Sequence, residues 1–302
     1  KRDGRLKIAI IWSLMLVWAV LAAGSDVAAS ADTADGIPEV FVSLFNKLVA
    51  DGIDEAAMRN IFSDPRVEFL PNALEINIKH VEKPAHYDRF VQPAYAKIGH
   101  GFVQQYYGFM KEIEAGYGVP AEVITAILLV ESDLGQKKGK YRVFNVLATV
   151  ATADTPSNIE ANYERLKERY PDLKKDEVVR RAESRSRWAY KELLSFIRST
   201  QRGGIDPLEI RGSWAGAFGI PQFVPSSFLA YAVDGNGDGV LDLNDLYDAV
   251  ASVANYLKKV GWKVGMDDRQ KRAVIWKYNH SELYVDAVLA SAELIAQEAD
   301  KR

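Results

Sequence analysis

Two stretches of the 302-residue chain carry side chains at spacings that suit chemistry. One ends in a single carboxylate, Glu131, which closes the run AEVITAILLVESDLG from Ala121 to Gly135. A carboxyl group at the end of an otherwise apolar helix would be buried, and burial disfavours its charged form. The negative end of the helix dipole acts in the same direction. A carboxyl held protonated near neutral pH is what a general acid requires. Asp133 lies two residues on, about 200° round a helix, so it cannot share the face of Glu131. A glutamate fraying into solvent at a helix end is the competing reading.

The second stretch is DGNGDGVLDLND, residues 234–245. Asp234, Asn236, Asp238, Asp242 and Asp245 fall at positions one, three, five, nine and twelve, and Val240 at seven offers its carbonyl. Gly239 sits at position six, where such a loop turns sharply. This is the ligand spacing of an EF-hand loop, with Asp in place of the usual Glu at position twelve. The shorter side chain predicts weaker coordination. No second loop of this kind exists to pair with it, which points to a structural ion rather than a calcium switch.

Helices must position both. Pro120 suits the first turn of a helix and Gly135 its C-terminal stop. The residues between are apolar almost all round, as in a helix buried in mid-domain. Phe41, Leu44, Phe45 and Leu48 follow an amphipathic helical period. Asp54 is a good N-cap for a short helix through Met58, Ile61 and Phe62. Residues 63–86 read as irregular, and a helical pattern resumes from Tyr87 to Ala115. Residues 155–187 are rich in Glu, Lys and Arg and predict a solvated helical excursion. A helix through Trp188, Leu193, Leu194 and Ile197 then runs to Gly203-Gly204.

The stretch GSWAGAFGIPQFVP, residues 212–225, predicts a tight loop in which Gln222 needs a polar partner. Helices are expected at Ser226–Ala232 and Leu246–Val260, on either side of the acidic loop. After Tyr278 and Asn279 comes a last helix through Val285, Val288, Leu289 and Leu294. Strand signals are sparse, so the fold class is mainly α.

Composition narrows the function. A hydrophobic share of 48% and a charged share of 26% are ordinary for a globular protein. The net charge of −3 offers no general attraction to nucleic acid. With no cysteine, thiol catalysis and cysteine-bound zinc are excluded, and His80, His86, His100 and His280 lack metal-ligand spacing. Lys1, Arg2, Arg5 and Lys7 precede an apolar run from Ile8 to Ala23, followed by small residues. That is the order of a secretory signal peptide over residues 1–31, with an uncleaved anchor as the alternative.

Together these motifs resemble the lytic murein transglycosylases of the soluble and membrane-bound B family, over roughly residues 38–300. The resemblance rests on GVPAEVITAILLVESDLG, NVLATVA, GSWAGAFGIPQFVPSSFLAYAVDGNGDG, VANYLKKVGW and KYNHS. It implies a lysozyme-like helical core with an EF-hand-type calcium loop and additional flanking helices. The expected layout is an N-terminal helical region at 32–112 and a core at 113–262. A C-terminal segment at 263–302 closes the cleft. The charged insertion at 155–187 departs from the shorter family pattern.

The resemblance makes Glu131 the single catalytic acid/base. Ser213, Gln222, Tyr256, Tyr278 and Asn279 then line the cleft, and Phe218 and Phe223 touch sugar rings. It implies Ca2+ as a structural ion, no organic cofactor, and peptidoglycan glycan strands as partners, with cell-wall synthesis proteins as further candidates. Lacking a cysteine for a lipid anchor, the chain matches the soluble, periplasmic form. The implied reaction cuts the bond between N-acetylmuramic acid and N-acetylglucosamine without water, leaving 1,6-anhydromuramic acid ends. A hydrolytic muramidase on the same core and a non-catalytic, calcium-stabilised peptidoglycan-binding protein remain as alternatives.

Overall fold

The computed structural model describes residues 36–79 and 82–301, so the expected signal peptide at 1–31 lies outside the described residues. The fold is mainly helical, as expected. Its centre is the helix Ala121–Ser132, where every residue except Glu122 is buried. Ile124, Ile127 and Leu128 are fully buried. Burial of each such side chain stabilises the fold by about 1.5–3 kcal/mol. Pro120 is the N-cap rather than a first-turn residue, and the helix stops on a left-handed Asp133 (φ 56°), two residues before Gly135.

Two helices lie along this rod, Pro93–Gln105 and Glu282–Ala299. They approach closely at Gly99, where a Cβ would sit 2.5 Å from the Ile295 side chain. A third neighbour, Leu246–Val260, buries an almost unbroken face from Asp248 to Leu257. The wholly buried helix Val143–Ala151 packs against Lys175–Gly203. Among the described residues no single helix is long and apolar enough to cross a membrane. The bent pair Tyr107–Tyr117 and Ala121–Ser132 passes by composition, but the second of these is the buried centre.

Three sequence expectations change. The irregular stretch 63–86 contains a helix, Pro71–Ile78, that begins on its own proline. The pattern from Tyr87 to Ala115 resolves into Pro93–Gln105 and Tyr107–Tyr117, broken at Tyr106. The charged segment 155–187 is helical as expected, in Pro156–Arg169 and the first part of Lys175–Gly203. It is not merely a solvated surface, however. Leu166, Leu173, Val178 and Ala182 form a second, smaller apolar cluster with Leu74 and Ile78.

Two-residue strands, Tyr141–Arg142 and Arg211–Gly212, pair antiparallel and fasten the start of the Gly-rich loop to the segment leading into the helix Val143–Ala151. Gly139 makes this approach possible. Its φ is 91°, and a Cβ there would lie 2.1 Å from the Gly212 carbonyl.

Candidate active site

Glu131 occupies the last turn of the central helix and is only 7% exposed. The next residue ties this helix end to the Gly-rich loop: Ser132 Oγ donates to Ile220 O at 2.7 Å and accepts from Gly135 N at 2.9 Å. Burial pushes the Glu131 carboxyl up from 4.5 to about 8. A single hydrogen bond opposes that shift, from Tyr284 Oη to Glu131 Oε1 at 2.8 Å. The group is therefore mostly protonated at neutral pH, the state of a general acid. Asp133 points elsewhere and pairs with Lys137 at 2.7 Å.

Tyrosines surround the acid. Tyr278 stacks on Tyr284 at 6.2 Å with an 8° interplanar angle. Tyr256 meets Tyr278 edge-on at 4.8 Å. The Tyr278 hydroxyl donates to Pro221 O, and that of Tyr256 to Lys277 O, both at 2.6 Å. Burial first, then the Glu131 charge, drives the Tyr278 and Tyr284 phenols well above their ordinary value, so both keep their protons as donors. The ring of Tyr87 also packs on Tyr284, at 80°.

Of the residues singled out in the sequence, Tyr278 therefore lies beside Glu131, with Tyr256 behind it. Asn279 ends the helix Asp268–Tyr278 and is 2% exposed. Gln222 adopts a left-handed backbone (φ 50°) and donates through Nε2 to Lys138 O at 3.1 Å and Gly219 O at 2.7 Å. Its Oε1 is buried without a partner among the described residues. The Ser213 hydroxyl is occupied within its own turn, accepting from Ala215 N and Ala217 N.

Phe223 is 2% exposed and lies between Tyr256 and Tyr278, at 5.8 and 5.9 Å. Phe218 is 6% exposed and packs on Phe196 and Phe228. It lines a separate cavity of about 520 Å³ with Leu243, Ile205 and Arg211. Both rings belong to the core as packed. Tyr284, Tyr87 and Glu82 were not singled out by sequence. Ser281 caps the last helix, its hydroxyl accepting from Tyr284 N, but nothing in that local pattern points to Glu131.

In the acidic loop Asp245 caps the following helix, its Oδ1 accepting from Tyr247 N at 2.8 Å and Asp248 N at 3.1 Å. Asp248, 1% exposed, reaches back into the loop and accepts from Gly235 N and Asp242 N. The carboxylates of Asp234 and Asp238 accept from loop amides, and among the described residues no three acidic or histidine side chains converge on one point. The donors are all hard oxygens, which suits Ca2+ or Mg2+. The loop is joined to the site's scaffold by Ile220 N donating to Leu243 O at 2.8 Å.

Comparison with known proteins shows which family the chain belongs to. The membrane-bound lytic murein transglycosylase B of Escherichia coli (strain K12) is 38% identical over 177 residues, 59% of this chain. The match spans 41% of that protein, less than half its length. The soluble lytic transglycosylase SltB1 from Pseudomonas aeruginosa superposes with a TM-score of 0.69 at 26% identity, covering 87% of this chain and 100% of that one. The Escherichia coli lytic transglycosylase SLT35, solved in complex with calcium, also has a TM-score of 0.69, at 25% identity over 87% of this chain and 94% of that one. A model of the transglycosylase SLT domain matches residues 39–271, more than half of the sequence, and the chain belongs to that family.

Proposed function

We propose that the protein is a lytic transglycosylase that cleaves the glycosidic bond between N-acetylmuramic acid and N-acetylglucosamine in peptidoglycan. The observation that carries this reading is one buried, proton-bearing carboxylate walled by tyrosines. Glycosidases of the usual kind work with two carboxylates facing the bond. Here the titratable groups facing Glu131 are Tyr284, Tyr278 and Tyr87.

The reaction needs one such group. Glu131 donates its proton to the leaving glycosidic oxygen as the bond from C1 to that oxygen breaks, assisted by the N-acetyl group of the muramic acid. The carboxylate so formed then takes the proton of the sugar's own C6 hydroxyl as O6 bonds to C1. The proton count balances, Glu131 is restored, and no water is consumed. An intramolecular nucleophile enjoys an effective concentration of about 10⁵ M or more. The Tyr284 hydrogen bond steadies the carboxylate during its brief ionised interval.

Around this centre the Gln222 Oε1, Asn279 and the Gly-rich loop bearing Ser213 are assigned to the sugars. A hard cation in the acidic loop would be held by Asp234, Asn236, Asp238, the Val240 carbonyl and Asp242, with Asp248 in the place expected of Asp245. It would stabilise the loop and leave the chemistry to Glu131. A peptidoglycan substrate implies export to the periplasm, for which residues 1–31 are the leader. Mass spectrometry of peptidoglycan digested by the purified protein tests the proposal. Anhydro ends support it, reducing ends indicate a hydrolytic muramidase, and intact glycan leaves only a binding protein.

A further inference from the structure

Behind Tyr284 lies a carboxylate that the reaction above does not use. Glu82 accepts from Tyr87 Oη at 2.6 Å, and the Ser281 hydroxyl lies 2.6 Å from its Oε1 and 2.7 Å from its Oε2. Each partner touches the residue that holds the acid. Ser281 caps the helix Glu282–Ala299, its Oγ accepting from Tyr284 N at 3.2 Å. Tyr87 packs edge-on against the Tyr284 ring at 6.5 Å. Glu82 thus fixes both the first turn that carries Tyr284 and the ring that backs it. Residues 82 and 281 are far apart in sequence, so the carboxylate also joins two separate segments of the site's wall.

We propose that Glu82 is a positioning residue for catalysis: through Ser281 and Tyr87 it seats the Tyr284 hydroxyl on Glu131. The inference rests on the transglycosylase reading of Glu131 and extends it by one layer. Its physical basis is that a hydrogen bond to a charged carboxylate weakens steeply with misalignment. An unseated Tyr284 would leave the Glu131 carboxylate without its donor. Glu131 would then hold its proton more tightly and return it to the leaving oxygen less readily. Among the described residues the groups facing Glu131 from the packed elements are Tyr284, Tyr278 and Tyr87, none of them an acid that would mask the effect.

The test compares Glu82→Ala with Tyr284→Phe in the full chain, reading kcat, KM, melting temperature and the pH profile of anhydro-product release. Both variants should lose between about tenfold and a hundredfold in kcat with KM little changed, the scale of a slightly misplaced catalytic contact. Both should move the alkaline limb of the profile to higher pH, since losing the donor raises the proton affinity of Glu131. The double variant should lose little more than either single one, because the two act through one contact. Glu82→Gln keeps an acceptor oxygen and should recover most of the rate.

An unmoved alkaline limb in folded Glu82→Ala, or additive losses in the double variant, would overturn the proposal. Should Glu82→Ala fail to fold, Tyr87→Phe takes its place under the same criteria, since it removes one bond and keeps the ring. These outcomes are separate from failure of the parent reading, which would show as turnover in Glu131→Gln or as products without anhydro ends.

Discussion

Replacing Glu131 with glutamine should shift the stability difference from wild type in the variant's favour as pH rises. Burial places the Glu131 carboxyl at about 8 in the fold, against 4.5 for an ordinary glutamate. A folded-state value above the unfolded one means that the unfolded chain releases its proton first as pH rises. Stability is therefore fully present below the unfolded value and is lost progressively until pH passes the folded one. Each unit of separation corresponds to about 1.36 kcal/mol. Between about pH 5 and about pH 8 the wild type should lose roughly 3–4 kcal/mol through this one group. Glutamine has no proton to lose, and its carbonyl oxygen still accepts from Tyr284. Its unpartnered amide costs about 1–3 kcal/mol, equally at every pH, so the informative quantity is how the gap changes. Urea unfolding of both proteins at the two pH values measures it. Thermal melts should show the gap widening by about 7 °C, at roughly 2 °C per kcal/mol for a chain of this size. A gap that stays constant would mean that Glu131 titrates like an exposed glutamate, and the argument for a poised acid would fail with it.

In activity, release of anhydro products should decline as pH rises through about 8, where Glu131 loses its proton, and Glu131→Gln should abolish turnover at every pH; a rate that climbs through that range contradicts the assignment. Added calcium should raise the melting temperature and change initial rates little. Asp238→Ala should abolish the rise, whereas Asp245→Ala should cost about 1 kcal/mol as a lost helix cap and preserve it; the reverse pattern would restore Asp245 as a ligand. Gly139→Ala should destabilise the protein by more than about 1–3 kcal/mol, because it combines a φ of 91° with a Cβ placed 2.1 Å from the Gly212 backbone. Urea titration decides this, and a loss below that level would show that the strand pair can shift.

The parts of the site that sequence made legible are those in which local pattern and tertiary role coincide. A helix apolar but for Glu122 and Thr125 pointed to burial, and the structure buries Glu131 at its end rather than letting it fray. Asp54 and Leu246–Val260 were equally plain, since a cap or an amphipathic period is a local property. The helix Pro71–Ile78 was missed because its apolar face is short and includes Asn77, which reads as a loop residue. That amide is buried and donates to Ala73 O and, across the fold, to Trp214 O. Asp245 shows the limit of spacing as a signal: the pattern that suits a metal ligand also suits a helix cap, and here its carboxylate accepts from Tyr247 N and Asp248 N. Tyr284 and Glu82 depend on contacts across some 150 and 200 positions, which no window of sequence displays.

The helix Lys175–Gly203 limits how this protein can be taken apart. It is 29 residues long, which gives a rod of roughly 44 Å. Val178 and Ala182 near one end belong to the small apolar cluster, while Leu193, Phe196 and Ile197 belong to the main core. Between them the Ser186 hydroxyl donates to Ala151 O at 2.7 Å. The charged segment is consequently not a cassette that protein engineering could lift out at its compositional edges. A cut near residue 187 would remove the Ser186 bond and open a new helix end with four unsatisfied amides beside buried Trp188. It would also uncover Leu74 and Ile78 on the neighbouring helix. Chimaeras between this chain and its relatives should exchange Pro71–Ile78 and the charged segment as one unit, with a fresh cap designed where the long rod is severed.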